Sequence, residues 1–365
     1  MTCACTAVTR TILLAAAALL PLACNGDDVS DTDGATTGST TVATSSTTSS
    51  TSGSATTDDS SSSGSESAGE STTTGSDTAT TTMGTTTMEE ETTTTTTTTT
   101  TTGGLDPIDQ AIIEGFDRPE SAVYSSEDQH WYVSNIVGSG DQKDGNGFIS
   151  RLNHDGSIET LQWVTGLNGP KGLGIANGRL FSADIDTVRI IDLDSGDLAM
   201  SVPINGAVFL NDVAVDGEGT VYVSDSGTNT IHMLKPGQAP EVFTQSNSFN
   251  RINGITFAGE RMFAVSVGTQ NDGTVFEVVN GAPVPHSSLL GRLDGVVARA
   301  NDLLITDLNG MMYSVPLEGG DPTLVTNFVE EHGFMGSADL GIAPELKAIA
   351  VPDLQSSKVG FFPIE

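Results

Sequence analysis

Four side chains with oxygen donors recur at one position of a repeating pattern, each two residues before an apolar run: Glu120, Asn211, Asn253 and Asp294. Carboxylate and amide oxygens are the ligands that hard cations such as Ca²⁺ prefer, and two carboxylates balance the charge of a divalent ion. Lys171 holds the same position in another repeat and is a candidate to orient a substrate oxygen. The pattern predicts a divalent-metal site wherever the fold brings these residues together.

The pattern returns about every 40 residues through residues 105–365. Each repeat holds a second apolar run, and most of these second runs end in Asp or Asn: Asn135, Asp184, Asp225, Asp307 and Asp353. Short β-type runs separated by Gly turns at this period are typical of propeller blades. We therefore predict an all-β fold, a six-bladed β-propeller of four-stranded blades over residues 105–365. The residue that opens each repeat then faces the central axis.

The second repeat shows how one blade is built. Its turn Asn177-Gly178 joins two apolar runs, which is a strong signal for a two-residue β-hairpin. The sixth repeat has only three runs before its end, so residues 110–115 are expected to add the fourth strand and remove the exposed sheet edges. The repeat-opening residues share one face with the loops that follow the second runs. The longest of these loops, residues 136–147, is expected to overhang the mouth of the channel.

Four segments carry a resemblance to a known family: residues 119–121, 144–149, 170–172 and 209–212, which read PES, DGNGFI, PKG and FLND. There the chain resembles exported bacterial members of the six-bladed group of senescence marker protein, gluconolactonase and luciferin-regenerating enzyme. Diisopropylfluorophosphatase and paraoxonase share that architecture. The resemblance implies a catalytic divalent metal in the central tunnel, held by Glu, Asn, Asn and Asp from blades one, three, four and five. The four residues named first match that order, whereas Lys171 in blade two departs from it.

Two classes of function follow. In the first, the protein is a metal-dependent hydrolase of a small-molecule lactone or related ester, with Ca²⁺ as cofactor, Asp294 as general base or nucleophile and Lys171 beside it. Asp339 and Asn135 are expected to support the ligands, although Ala338 also fits the opening position of the sixth repeat. In the second, the propeller is a non-catalytic surface module that binds an envelope protein or glycan, and any calcium is structural. A monomer is expected in both.

The charge of the chain excludes one class of partner. Its 14 Lys and Arg residues stand against 47 Asp and Glu residues, which gives a formal net charge of −33. Nucleic acid and anionic lipid would both be repelled by such a chain. We therefore expect no nucleic-acid partner.

Residues 1–24 read as an export signal. Arg10 precedes an apolar run that is too short for a stable membrane span and that ends close to Cys24. This ending resembles a bacterial lipoprotein signal, in which the cysteine is lipidated. We therefore predict an outer-membrane or cell-surface lipoprotein that meets the membrane only through its lipid. Ordinary secretion after cleavage is the alternative.

Residues 25–104 consist mainly of Ser, Thr, Gly and Asp, with an unbroken threonine run at 92–102. Such a segment has too little apolar surface to offset the entropy lost on ordering. We predict a disordered tether with a root-mean-square reach of about 50 Å, which would hold the propeller clear of a membrane surface.

Deleting residues 25–104 should leave the melting temperature of the propeller unchanged within about 2 °C, because nothing in this segment is expected to pack. Thermal unfolding of the deletion variant beside the full chain measures the difference. A melting temperature lower by about 10 °C or more would show that the segment contributes to the fold.

Overall fold

The computed structural model describes residues 108–364, which form six four-stranded antiparallel sheets. Five sheets are built from consecutive strands, and the first strands of neighbouring sheets pack around a common axis. This arrangement confirms the predicted six-bladed β-propeller. The strands of each blade are lettered a to d from the axis outward.

The strands are numbered along the chain, beginning with the short strand β1 (Ala111–Glu114). Blades one to three contain β2 (Pro119–Ser125), β3 (His130–Asn135), β4 (Gly147–Asn153) and β5 (Ile158–Leu167); β6 (Pro170–Ala176), β7 (Arg179–Asp184), β8 (Thr187–Asp192) and β9 (Leu198–Pro203); and β10 (Leu210–Val215), β11 (Val221–Asp225), β12 (Thr230–Leu234) and β13 (Glu241–Gln245). Blades four to six contain β14 (Ile252–Ala258), β15 (Arg261–Ser266), β16 (Val275–Val279) and β17 (Ala282–Pro285); β18 (Leu293–Ala298), β19 (Asp302–Asp307), β20 (Met311–Pro316) and β21 (Thr323–Asn327); and β22 (Gly341–Ala343), β23 (Ala348–Asp353) and β24 (Lys358–Pro363). The helical segments are short: α1 (Phe328–His332) and the 3₁₀ turns Asn247–Phe249 and Pro344–Leu346.

The turn between β6 and β7 shows why the sequence folds into hairpins. Asn177 and Gly178 both adopt positive φ angles, 53° and 67°, as a type I′ turn requires. Asparagine and glycine enter this conformation at the least steric cost, so the local sequence fixes the pairing of Ala176 with Arg179. The predicted hairpin is confirmed.

Blade six takes its outer strand from the other end of the propeller chain. Its strand order from the axis outward is β22, β23, β24 and β1, and β1 pairs antiparallel with residues 358–361. This confirms that the segment predicted at 110–115 supplies the fourth strand. Ile108 and Phe116, on either side of β1, are buried in the same junction, so the ring is closed by both hydrogen bonds and apolar packing.

Apolar side chains fill the junctions between blades. Each of the six apolar clusters among residues 108–364 joins two consecutive blades. Between blades six and one, Trp131 is fully buried, with its ring centroid 4.9 Å from that of Tyr124 and 5.4 Å from that of Phe361. Because each blade buries its two faces against different neighbours, the blades stabilise one another around the ring.

Three predicted features lie outside the described residues: the export signal at 1–24, the lipidation site Cys24 and the tether at 25–104. In residues 108–364, no helix has the length and apolar character needed to cross a membrane.

A chain that begins at Phe116 should melt about 10 °C or more below a chain that begins at Ile108, because blade six loses its outer strand and the edge of β24 becomes exposed. Both variants lack the tether, so the comparison isolates β1 and its flanking residues. Thermal unfolding followed by circular dichroism makes the measurement. Equal melting temperatures would show that the ring is stable without β1.

Candidate metal centre

A β-bulge lies at the start of the innermost strand in five of the blades. In blade three, Leu210 pairs with Asp225 and Val213 with Val223, so that Asn211 and Asp212 together oppose one residue, Ser224. The same shift occurs at the start of β2, β6, β14 and β18. In a regular strand consecutive side chains enter opposite faces, whereas a bulge turns one of them aside. Asn211 and Asp212 both reach the central tunnel as a result, each in a different cavity.

Hydroxyl side chains on the second strands hold these bulges. Ser224 Oγ accepts a hydrogen bond from the amide of Asp212 at 2.9 Å and donates one to the carbonyl of Asn253 in the next blade at 2.7 Å. Thr306 makes the same pair of bonds to Gly295 and Ala338, at 3.0 and 2.7 Å. Each hydroxyl therefore satisfies a bulge amide and fixes the height of the axial residue in the neighbouring blade.

The axial residues of five blades meet in one cavity of about 760 Å³. All five are buried, with at most 7% of the residue exposed: Glu120, Lys171, Asn211, Asn253 and Asp294. The five predicted axial residues are therefore brought together at one face of the ring.

Several oxygens in this cavity are not engaged by protein donors. Glu120 Oε2 is buried and has no hydrogen-bond partner among the described residues. Asn211 uses its amide nitrogen to donate to Ser226 Oγ at 3.1 Å, and Asn253 uses its own to donate to Asp294 Oδ1. These bonds leave the carbonyl oxygens of both asparagines and Asp294 Oδ2 available to a ligand.

Burial gives the carboxylates of the tunnel unusual pKa values. It raises the pKa of Asp294 to about 8, with a further contribution from the charge of Asp339. It also raises the pKa of Glu120 well above its ordinary range; Asp294 and Asp339 raise this pKa further, while Lys171 lowers it. Carboxyls crowded in a buried tunnel either keep their protons or share a cation.

Asp339 does not share the axial position of the candidate ligands. It lies beside Asp212 in a second, smaller cavity of about 240 Å³, at the position that follows the axial one. Ala338 takes the sixth axial position, because its carbonyl accepts the bond from Thr306 that Asn253 accepts from Ser224. Asp339 is held by Ser121 Oγ at 2.6 Å and by the amide of Leu340 at 2.9 Å. Burial raises the pKa of Asp339 to about 7.

Lys171 is fixed by the loop that overhangs the site. Its Nζ donates to the carbonyls of Gly140, at 2.9 Å, and Gly169, at 3.0 Å, and lies 4.3 Å from the centre of the Phe209 ring. Burial lowers the pKa of Lys171, and the nearby Glu120 carboxyl opposes that effect. Ser139, Gly140 and Asp141 of the loop after β3 line the cavity, at the end of the channel where the sequence predicted this loop. Lys171 therefore binds the loop and interacts with the charge of Glu120, and it does not neutralise Asp339.

Asn135 has a structural position. Its Oδ1 accepts the amide of Asp117 at 3.0 Å, and its Nδ2 donates to the Val133 carbonyl and to Ser150 Oγ, at 3.1 and 3.0 Å. Aspartates that end other second strands also bind backbone amides. Asp225, for example, accepts hydrogen bonds from the amides of Val208 and Phe209, both at 2.9 Å. Asn135 therefore secures the link that enters blade one and is no direct neighbour of the axial oxygens in the hydrogen-bond network.

The donor set fits a hard divalent cation. It offers two carboxylates and two amide oxygens, all ordinary ligands of Ca²⁺, and one of its oxygens is buried without a partner. Within residues 108–364, no group of three or more His, Cys, Asp or Glu side chains is placed to hold a metal ion. A site here would therefore depend on the asparagine oxygens as much as on the carboxylates.

Three arginines that the sequence reasoning missed also line this cavity: Arg118, Arg251 and Arg292. Each stands two residues before an axial residue of blade one, four or five. A basic residue recurs two positions before the axial residue in an otherwise acidic chain, and this recurrence is the signal that identifies them in the sequence.

Comparison with known proteins gives a structural likeness and no family. No protein-family model matches the chain, and no curated protein matches it. A crystal structure of a catalytically inactive virginiamycin B lyase from Staphylococcus aureus with quinupristin is similar with a TM-score of 0.48 and 12% sequence identity. That likeness covers 69% of this chain and 98% of the other.

The metal-free propeller should lose stability as pH rises from about 4 to about 8, because Asp294 and Asp339 ionise near pH 4 when unfolded but keep their protons to about pH 8 and pH 7 when folded. The unfolded state binds fewer protons in this window, so the free energy of unfolding falls. Asp294→Asn should flatten the fall, and Asp197→Asn, an exposed change of the same type, should not. The free energy of unfolding, measured with urea at pH 5 and pH 8, tests this prediction. An equal fall between the two pH values in both variants would contradict the account.

Proposed function

We propose that the protein is a divalent-metal-dependent hydrolase of a lactone or related ester, with Ca²⁺ as the metal. One observation carries the proposal: Glu120 Oε2 is buried and unpartnered in the cavity where Asn211, Asn253 and Asp294 also have oxygens to spare. A buried carboxylate oxygen without a donor is costly, and a bound cation would remove that cost.

Glu120, Asn211, Asn253 and Asp294 are the residues that would hold the ion. When bound, it would supply a Lewis acid for the ester carbonyl and for the charge that develops on its oxygen. The cavity, at about 760 Å³, has room for a small molecule beside the ligands.

Asp294 is the residue we assign to proton transfer. Its Oδ1 accepts a hydrogen bond from Asn253, which fixes the orientation of the carboxylate and leaves Oδ2 without a hydrogen-bond donor among the described residues. Burial raises the pKa of Asp294 in the metal-free site, and a bound cation would lower it again and keep the carboxylate ionised, as a base that takes a proton from an attacking water must be.

Lys171 is the second residue of the reaction. An ammonium has three donors, and two of those of Lys171 are used by Gly140 and Gly169. The third is available to a substrate oxygen. Ile136 and Phe209 give the cavity apolar walls near this lysine, which reduces the water that competes for the ester.

Export and lipid attachment through Cys24 belong to the same proposal, since a tethered hydrolase would act on small molecules outside the cytoplasm.

Asp294→Asn should weaken Ca²⁺ binding by about tenfold or more, because it keeps the shape of the ligand and removes one of two balancing charges. It should also abolish turnover of a panel of aldonolactones, aryl esters and phosphotriesters. Calorimetry with Ca²⁺ and rate measurements on the panel provide the two readouts. In the parent protein, Ca²⁺ at a hundred times its Kd should add about 2.7 kcal/mol to the free energy of unfolding.

Asp197→Asn is the matched control and should change neither readout, because Asp197 is exposed and lies outside the cavity. If the parent binds none of calcium, magnesium, manganese and zinc, the axial set is only a group of strand-opening residues and the hydrolase proposal fails. Metal binding without turnover of any panel member would favour a surface binding module with structural calcium.

A further inference from the structure

The arginines of the propeller divide into two groups. Five form ion pairs with carboxylates at 2.6–3.1 Å, each on a strand or turn outside the axial cavity: Arg151, Arg179, Arg189, Arg261 and Arg299. The three remaining arginines of residues 108–364 have no ion pair within that part of the chain, and all three line the axial cavity: Arg118, Arg251 and Arg292. In a chain of net charge −33, unpaired guanidinium groups are therefore concentrated at one place.

The three arginines are fixed at equivalent positions of their blades. The carbonyl of each accepts a hydrogen bond from the residue that follows the second strand: Ile136 to Arg118 at 3.1 Å, Val267 to Arg251 at 3.0 Å and Leu308 to Arg292 at 2.9 Å. Their side chains therefore start from the same height around the mouth of the cavity. Arg118 Nε is buried and has no hydrogen-bond partner among the described residues.

Two of these arginines have a backbone conformation that arginine disfavours. The φ angle is 54° at Arg118 and 66° at Arg251, in the left-handed region. Glycine would enter this region without steric cost. A disfavoured backbone retained at a residue that lines the cavity indicates that its side chain has a use there.

The charge of the cavity differs in sign from that of the protein. Four bases line it, namely Lys171 and the three arginines, against three acids, Glu120, Asp141 and Asp294. A divalent ion on the axial oxygens would neutralise two of those acids and leave the mouth strongly positive. Planar guanidinium groups bind carboxylate and phosphate groups through paired hydrogen bonds.

We propose that Arg118, Arg251 and Arg292 form an anion-binding rim that recognises a carboxylate or phosphate group on the molecule that enters the axial cavity. The rim determines specificity and touches the ligand away from the reacting bond. As a statement about substrate, this inference rests on the proposed hydrolase; as a statement about anion binding, it is independent of the metal.

The test is calorimetric titration of the full chain with two probes, inorganic phosphate and succinate, first without metal and then with Mg²⁺. We expect at least one probe to bind saturably in the metal-free protein, and the stronger of the two shows which anionic group the rim prefers. Replacing Arg118, Arg251 or Arg292 by Gln should weaken that binding by about tenfold each, because a charge-assisted hydrogen bond is lost.

Arg179→Gln is the matched control, since it removes the same charge from an ion pair with Asp192 outside the cavity and should leave the affinity unchanged. Arg118→Gly separates binding from folding: glycine suits a φ of 54°, so the melting temperature should not fall although binding is weakened as in Arg118→Gln.

Absence of saturable binding of both probes would overturn the rim, as would binding that all three cavity variants retain. Anion binding that survives in a protein unable to bind any divalent metal would support the rim while the hydrolase proposal fails. The two outcomes can therefore be told apart.

Discussion

The candidate site depends on the β-bulge that opens the innermost strand of five blades. Two residues share the space opposite one, so consecutive side chains both reach the tunnel, as Asn211 and Asp212 do in its two cavities. The hydroxyls of Ser224 and Thr306 satisfy the bulge amides and bind the next blade. The same bonds that hold neighbouring blades together therefore set the height of the axial oxygens.

The tunnel gathers charge that a protein interior tolerates only with compensation. Glu120, Asp212, Asp294 and Asp339 are all buried there, and burial raises the pKa of each. A cation on the axial oxygens would relieve this repulsion, and the three unpaired arginines at the mouth place positive charge above it. An acidic floor proposed to take a metal and a basic rim proposed to take an anion would suit one ligand that carries both an ester oxygen and an acidic group.

Local signals were enough to predict the blades from the sequence. Turns such as Asn177-Gly178 fix their own hairpins, and the repeat fixes which residue faces the axis. Asp339 could not be placed because the first strand of blade six is short, Gly341–Ala343, and pairs without the bulge that marks the register elsewhere. The sequence repeat also could not predict two other features, the contact of Lys171 with Gly140 and the left-handed backbone of Arg118. The first joins two blades, and the second costs about 1–2 kcal/mol that no local preference predicts.

The central claim is that the axial oxygens of blades one, three, four and five hold one divalent cation. A crystal structure of the protein grown with Ca²⁺ tests it most directly. The account predicts a single ion on the axis, about 2.3–2.6 Å from oxygens of Glu120, Asn211, Asn253 and Asp294. An empty axial cavity at saturating Ca²⁺, or an ion bound only by other residues, would contradict it.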